Sequence, residues 1–397
     1  MNAPNPQGPP AVRSIVGLSA ASFGALGGCL TLPGTLLPVL VERFGIRLFE
    51  AGSMLALQQV GYLLSVIAAR SVIERFGMRA ALSGALFTSA VGFGGFGMAT
   101  GWVSGAIMML VAGLGFGVME VATNTLLITA GGERRLNMLN FAHLFFGVGS
   151  FAAPPIVAPA VAAGLSWRLT FFVAAGLLAA VALGWSRVRI DTPPSDASVA
   201  GSGTPWRVRS AQLFALVLGV YVGVELGIGG WLTKYMVSVR STTLPYAGNV
   251  LSLYWLGLAA GRLLLSVLAH RVREQALLLW LAITSTAMVC GALAAASPWM
   301  SGLCFAGTGI AFSGIFPVVV ALGGRYHAHD AAGVTSVMTA GAALGGILIP
   351  WTMSAIADTL GLVVGMALYA GLCGVMALLA AGLHAVLPAE PVARRWA

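Results

Sequence analysis

The sequence predicts an all-α integral membrane protein of 12 transmembrane helices, built as two pseudo-symmetric six-helix halves. Three observations carry this. Hydrophobic residues fill 58% of the 397 positions and charged residues only 8%, against roughly 25% charged in soluble domains. In water such a chain would expose large apolar patches, whereas a bilayer crossing needs about 20 apolar residues in a helix. Apolar runs of that length recur about 12 times between short polar breaks. Finally, residues 191–204 (DTPPSDASVAGSGT) are rich in Pro, Ser and Gly and lack an apolar period. They read as a flexible linker, leaving residues 1–190 and 205–397 as halves of six spans each.

The first span, 14–41, has no basic run before it and no small-residue cleavage site after a short core, so it reads as a retained helix. The second and third, 51–69 and 80–99, meet at Glu74-Arg75-Phe76-Gly77-Met78-Arg79. Gly77 allows a tight turn there, and the charges can bridge two helix ends. The fourth span, 105–130, contains Glu120 as its only acid. Asn124 lies four residues on and therefore on the same helix face. The fifth, 136–163, puts Asn140 and His143 three apart on one face. A neutral imidazole offers one donor and one acceptor, which suits a polyhydroxyl ligand. It also titrates near about pH 6.5, which suits a proton relay. The sixth span is 169–185.

The seventh span, 212–236, carries Glu225, again its only acid, amid Gly223, Gly227, Gly229 and Gly230. Trp231 and Tyr235 follow on the same span. Asn249, Tyr254 and Trp255 lie on the eighth, 245–268. Aromatic rings can stack on the apolar faces of sugars, although Trp and Tyr also form interfacial belts; Trp255 is too deep for a belt. The eighth span also contains Gly261-Arg262, followed by Arg271 and Arg273, a weaker counterpart of the Glu74–Arg79 turn. The remaining spans are 276–296, 300–322, 332–357 and 360–386, with tight loops at 100–104 and 296–301.

A carboxylate at bilayer depth costs several kcal/mol unless protonated, paired or solvated, which makes Glu120 and Glu225 functional candidates. The plainer alternative for Glu120 and Asn124 is a structural hydrogen bond between helices worth about 1 kcal/mol, for His143 a bond to a neighbouring helix, and for Glu225 an acid kept neutral to pin a helix junction. The candidate proton-coupling set is Glu120, Glu225 and His143. The candidate substrate contacts are Glu120, Asn124, Asn140, His143, Trp231, Asn249, Tyr254 and Trp255. Glu74, Arg75, Gly77, Arg79 and Arg262 form the candidate gating set.

The net charge of +9 does not point to nucleic acid, because the basic residues punctuate apolar spans instead of lining one polar face. Arg43, Arg47, Arg168, Lys234 and Arg240 fall on one side of the membrane, and the other 16 of the 21 Lys and Arg fall on the opposite side. The positive-inside rule then puts both termini in the cytoplasm. Cys29, Cys290, Cys304 and Cys373 all lie within spans without metal-ligand spacing and read as small buried hydrophobes. There is no phosphate loop, nucleophile elbow or zinc-protease motif, so neither an enzyme nor a nucleotide-driven pump is expected. No cofactor or metal is expected either.

The Glu74–Arg79 stretch is similar to the loop signature of the major facilitator superfamily, with Glu where Asp is commoner. Within it, the chain resembles the fucose–galactose–glucose:proton symporters and the related sodium-dependent glucose transporter-like proteins. Residues 115–125 (GFGVMEVATNT), 139–149 (LNFAHLFFGVG), 221–235 (YVGVELGIGGWLTKY) and 254–263 (YWLGLAAGRL) carry that resemblance, with 312–317 (FSGIFP) similar to the tenth helix of the group. The resemblance implies that Glu120 matches the acid linked to proton-coupled sugar transport and Asn124 a neighbouring polar position. It implies that His143 stands where fucose-type members tend to carry Gln, that Glu225 falls in the seventh-helix signature, and that the protein is a monomer. Fucose-type members also have an Asp in the first helix, where this chain has Gly34.

The sequence thus reads as a secondary transporter of the inner (plasma) membrane. It is expected to import a sugar or similar small polar metabolite with protons, or alternatively sodium, by alternating access. Export of drugs or metabolites on the same fold is the alternative, favoured by 15 adaptable Met residues. A transporter-like sensor is the reading from another class, and the lack of a separate polar domain argues against it.

Overall fold

The computed structural model describes residues 10–131, 134–188, 190, 209–268, 272–327 and 330–386. The expected linker at 191–204 lies outside the described residues, which form helices and no strand. In the first half these are α1 (Pro10–Thr35), α2 (Leu37–Phe44), α3 (Leu48–Phe76), α4 (Met78–Met98), α5 (Trp102–Gly131), α6 (Arg135–Ala162) and α7 (Trp167–Arg187). In the second they are α8 (Arg209–Ser238), α9 (Leu244–Leu268), α10 (Glu274–Ala294), α11 (Pro298–Phe312), α12 (Ile315–Tyr326), α13 (Ala331–Leu360) and α14 (Leu362–Val386). They supply 12 stretches long and apolar enough to cross a bilayer.

Two expected spans are interrupted. The first breaks at Leu36, between α1 and α2. Pro38, in the first turn of α2, has no N–H to return to the preceding turn, so the helix restarts there. The tenth breaks at Ser313 and Gly314, just ahead of Pro317 in α12, for the same reason. The turn between α3 and α4 is a single residue, Gly77, with φ of 80°, a conformation that costs other residues a Cβ clash.

The chain divides into two compact units, one within Met1–Ile46 and Ser53–Ala197, the other within Arg47–Gly52 and Ser198–Ala397. In the first, a buried aromatic cluster of Phe93, Phe96, Trp167 and Phe171 joins α4 to α7. Trp185 Nε1 donates to Ser22 Oγ at 2.9 Å, tying α7 to α1. In the second, Asp358 on α13 accepts from the Leu48 N–H at 3.0 Å and faces Arg47 at 3.7 Å.

The internal packing of one unit recurs in the other at a nearly constant displacement. In the first, Gly61 of α3 lies on the Leu110 carbonyl and Gly113 of α5 on the Gln58 carbonyl. In the second, Gly257 of α9 lies on the Ala306 carbonyl and Gly309 of α11 on the Tyr254 carbonyl. Each residue is displaced by 196 positions (58 to 254, 61 to 257, 110 to 306, 113 to 309). Gly149 of α6 abuts Gly24 of α1 much as Gly345 of α13 abuts Gly219 of α8. Small residues let helix backbones touch in lipid, where no hydrophobic effect drives helices together.

Two arginines, Arg168 and Arg240, act as helix caps. Arg168 donates to the Gly97 carbonyl at the end of α4 at 2.8 Å. Arg240 donates to the carbonyls of Ala292, Leu293 and Ala295 at the end of α10, at 2.7 to 2.8 Å. Carbonyls in the last helical turn lack intrahelical donors, and a cation there also meets the negative end of the helix dipole. Of the four cysteines, Cys29 and Cys373 are buried as expected, whereas Cys290 is exposed and Cys304 intermediate. Cys290 sits on α10 beside outward-facing apolar residues such as Trp280 and Ile283, where exposure in a membrane chain means a lipid-type surface.

Candidate functional site

Glu120 projects from the middle of α5. Its one hydrogen-bond partner among the described residues is Tyr62 of α3, whose hydroxyl donates to Glu120 Oε2 at 3.1 Å. No Lys or Arg pairs with it among the described residues. The glycine-lined crossing of α3 and α5 makes this reach possible, because Gly113 and Gly117 bring the α5 backbone against the Gln58–Val66 segment. One turn beyond Glu120, Asn124 Oδ1 accepts from His143 Nε2 of α6 at 3.1 Å. The His143 ring packs on Phe23 of α1 at 4.2 Å between centroids. Polar side chains of α3, α5 and α6 thus follow one another from Tyr62 and Glu120 to Asn124 and the exposed His143, with Phe23 of α1 packed on the histidine ring. Asn140, one turn from His143 on α6, is exposed and does not join these contacts.

Glu225 on α8 is 9% exposed. The Tyr254 hydroxyl of α9 donates to its backbone carbonyl at 3.0 Å. Tyr221, one turn earlier on α8, lies beside both the Glu225 carboxylate and the Arg262 guanidinium, and Arg262 is within electrostatic reach of Glu225. The two acids therefore differ in kind: Glu225 has a cation to hand and Glu120 has a neutral hydroxyl. They also occupy unrelated places in the repeat. The positions displaced by 196 from Tyr62 and Glu120 are Leu258 and Phe316. The α1 residue in register with Glu225 is Leu30.

The expected gating set separates. Gly77 makes the turn between α3 and α4. Glu74 pairs with Arg70 at 2.7 Å on its own helix. The Arg75 guanidinium lies 5.5 Å from the Phe76 ring centroid, and Arg79 is exposed. Arg262 belongs to neither loop nor turn: it sits inside α9 near Tyr221 and Glu225. Of the expected aromatic contacts, Trp231 and Tyr254 are fully buried and Trp255 is 4% exposed, its ring 5.3 Å from that of Tyr254. None of the three offers an open face to a solute in this state. Asn249 is exposed near the start of α9.

Four residues of these clusters escaped the sequence reading. Tyr62 and Gln58 interrupt the apolar run of α3 four residues apart, the spacing of one helix face. Phe23 and Tyr221 gave no signal, because an aromatic in an apolar span is ordinary.

A family model described as Major Facilitator Superfamily matches residues 18–278. The glucose/mannose transporter GlcP of Bacillus subtilis is 22% identical over 366 residues, covering 87% of this chain and 89% of that protein. Among solved structures, a D-xylose-proton symporter superposes with a TM-score of 0.76 at 14% identity, covering 96% of this chain and 98% of that one. The E. coli fucose:proton symporter FucP gives a TM-score of 0.61 at 19% identity, covering 92% and 98%. At these identities the structural likeness speaks for the fold.

Proposed function

The chain belongs to the major facilitator superfamily, and we propose that it imports a sugar or similar small polar metabolite together with protons by alternating access. As a member of that family it is a multi-pass membrane transporter and not an enzyme. The observation that carries the proposal is the environment of Glu120. A membrane carboxylate beside a fixed cation is compensated in its ionised form. Among the described residues Glu120 has only the Tyr62 hydroxyl, so it can take up a proton, cross as a neutral group and release it. Intramembrane acids arranged in this way serve as proton relays.

Asn124 and His143 stand one turn away and supply donors and acceptors for the hydroxyls of a bound solute. The sugar class is supported by the glucose/mannose transporter, which shares most of its length with this chain. Glu225 is assigned a second coupling role, exchanging its contacts with Arg262 and Tyr221 during the cycle. Trp255 is assigned a stacking role that requires it to become exposed in another state. We place both termini in the cytoplasm from the distribution of the arginines, and we assign the protein to the plasma membrane as a monomer by its likeness to the family's sugar transporters.

Purified protein in proteoliposomes tests this. D-[14C]glucose or D-mannose is offered under an inward proton gradient or, separately, an inward sodium gradient. Accumulation above equilibrium under the proton gradient, abolished by a protonophore, is expected. Accumulation under sodium alone overturns the proton assignment. Failure to move any hexose overturns the substrate assignment.

A further inference from the structure

We propose that Gln58 of α3 is a specificity-determining residue, whose amide donates to a hydroxyl or ring oxygen of the transported sugar. This rests on the reading of the protein as a sugar transporter. Gln58, within a helix long and apolar enough to cross a membrane, is 3% exposed, and its Nε2 has no hydrogen-bond partner among the described residues. Buried amide donors are almost always satisfied, and one left unpaired costs the full desolvation of the group. An apolar residue of similar size would serve packing better, so the amide calls for a partner other than the protein groups around it.

Its neighbours indicate what that partner is. Gln58 and Tyr62 are one turn apart, and the Gln58 carbonyl and Tyr62 N–H both meet Gly113 of α5. Gln58 therefore extends the strip formed by Tyr62, Glu120, Asn124 and His143.

The repeat sharpens the point. Gln58 corresponds in register to Tyr254, whose hydroxyl is satisfied by the Glu225 carbonyl at 3.0 Å. At the same backbone crossing, one unit carries a side chain long enough to close its own hydrogen bond. The other carries a shorter amide whose Nε2 closes none among the described residues. A polar group built to bond a ligand hydroxyl discriminates strongly against analogues lacking it, because it is then left unpaired.

The test uses Gln58→Met, which keeps chain length and apolar volume and removes the amide, with Gln58→Asn as a second variant that keeps the amide on a shorter stem. Proton-driven uptake of D-glucose and its deoxy analogues is measured in proteoliposomes, with thermal melting in detergent alongside. The expected result is a KM for glucose raised roughly tenfold in Gln58→Met, a Vmax within about twofold of wild type, and a melting temperature equal or higher. One deoxyglucose, weak on the wild type, should lose its disadvantage in the variant. Wild-type KM and wild-type analogue ranking in both variants would overturn the role of Gln58 while leaving the sugar-transporter reading intact. Absence of hexose uptake by the wild type would overturn both.

Discussion

Tyr62 and Glu120, whose register partners in the second half are the apolar Leu258 and Phe316, meet across 3.1 Å with the phenol donating to the carboxylate. The contact lies inside a helix pair held together by glycines, so both side chains are placed by backbone packing. A hydroxyl partner fixes the orientation of the carboxylate without supplying a permanent countercharge.

Tyr62→Phe removes that donor and keeps the ring. Proton-driven uptake is expected to fall roughly tenfold, the scale of one hydrogen bond to a charged group. Counterflow exchange of substrate, which needs no net proton movement, should be nearly retained. Equal loss of both activities would show that the hydroxyl supports folding or substrate binding instead.

The His143 and Asn124 pair should behave as one unit. Asn124→Leu and His143→Phe, alone and together, form a double-mutant cycle. A coupling of about 1 kcal/mol is expected, so that the double variant is little worse than either single one in its KM. Strict additivity would dissolve the pair.

Arg240 accounts for three otherwise unpaired carbonyls at the end of α10. Arg240→Ala should lower stability by about 1–3 kcal/mol, read as a lower melting temperature of the detergent-solubilised protein. Arg240→Lys should rescue little, because a point charge cannot reproduce the guanidinium fork. Full rescue by Lys would show that charge alone matters.

The glycine crossings predict position-dependent tolerance. At Gly149 an added Cβ meets the Gly24 backbone, and at Gly345 it meets the Gly219 backbone, whereas at Gly371 it meets open space. Gly149→Ala and Gly345→Ala should each destabilise by about 1–3 kcal/mol, the cost of overpacking. Gly371→Ala should be neutral or slightly stabilising. Equal effects at all three would contradict the helix contacts described above.

The membrane-spanning helices were legible because composition and run length are sufficient in lipid, where every backbone group must be satisfied within its own helix. Glu120, Glu225, Asn124 and His143 were legible for the same reason, since a polar residue stands out against an apolar span. The breaks at Leu36 and Ser313 were hidden, because a proline ends a helix in some membrane contexts and only kinks it in others. Tyr62 and Gln58 were hidden because their importance comes from facing Glu120 and Gly113, which no local pattern reveals. Arg262 was read with the loop arginines that follow it. Its place within the eighth span was legible, but not its nearness to Tyr221 and Glu225, which depends on how α9 packs against α8. Arg168 and Arg240 were counted only as exceptions to a charge rule, because capping needs the end of a distant helix.

The central claim is that Glu120 carries the proton. Glu120→Gln keeps size and hydrogen-bonding capacity and removes only the ability to titrate. Proteoliposomes containing this variant should show no accumulation of labelled hexose above equilibrium under an inward proton gradient, while exchange of internal for external hexose continues near the wild-type rate. Proton-driven accumulation equal to that of the wild type would contradict the account.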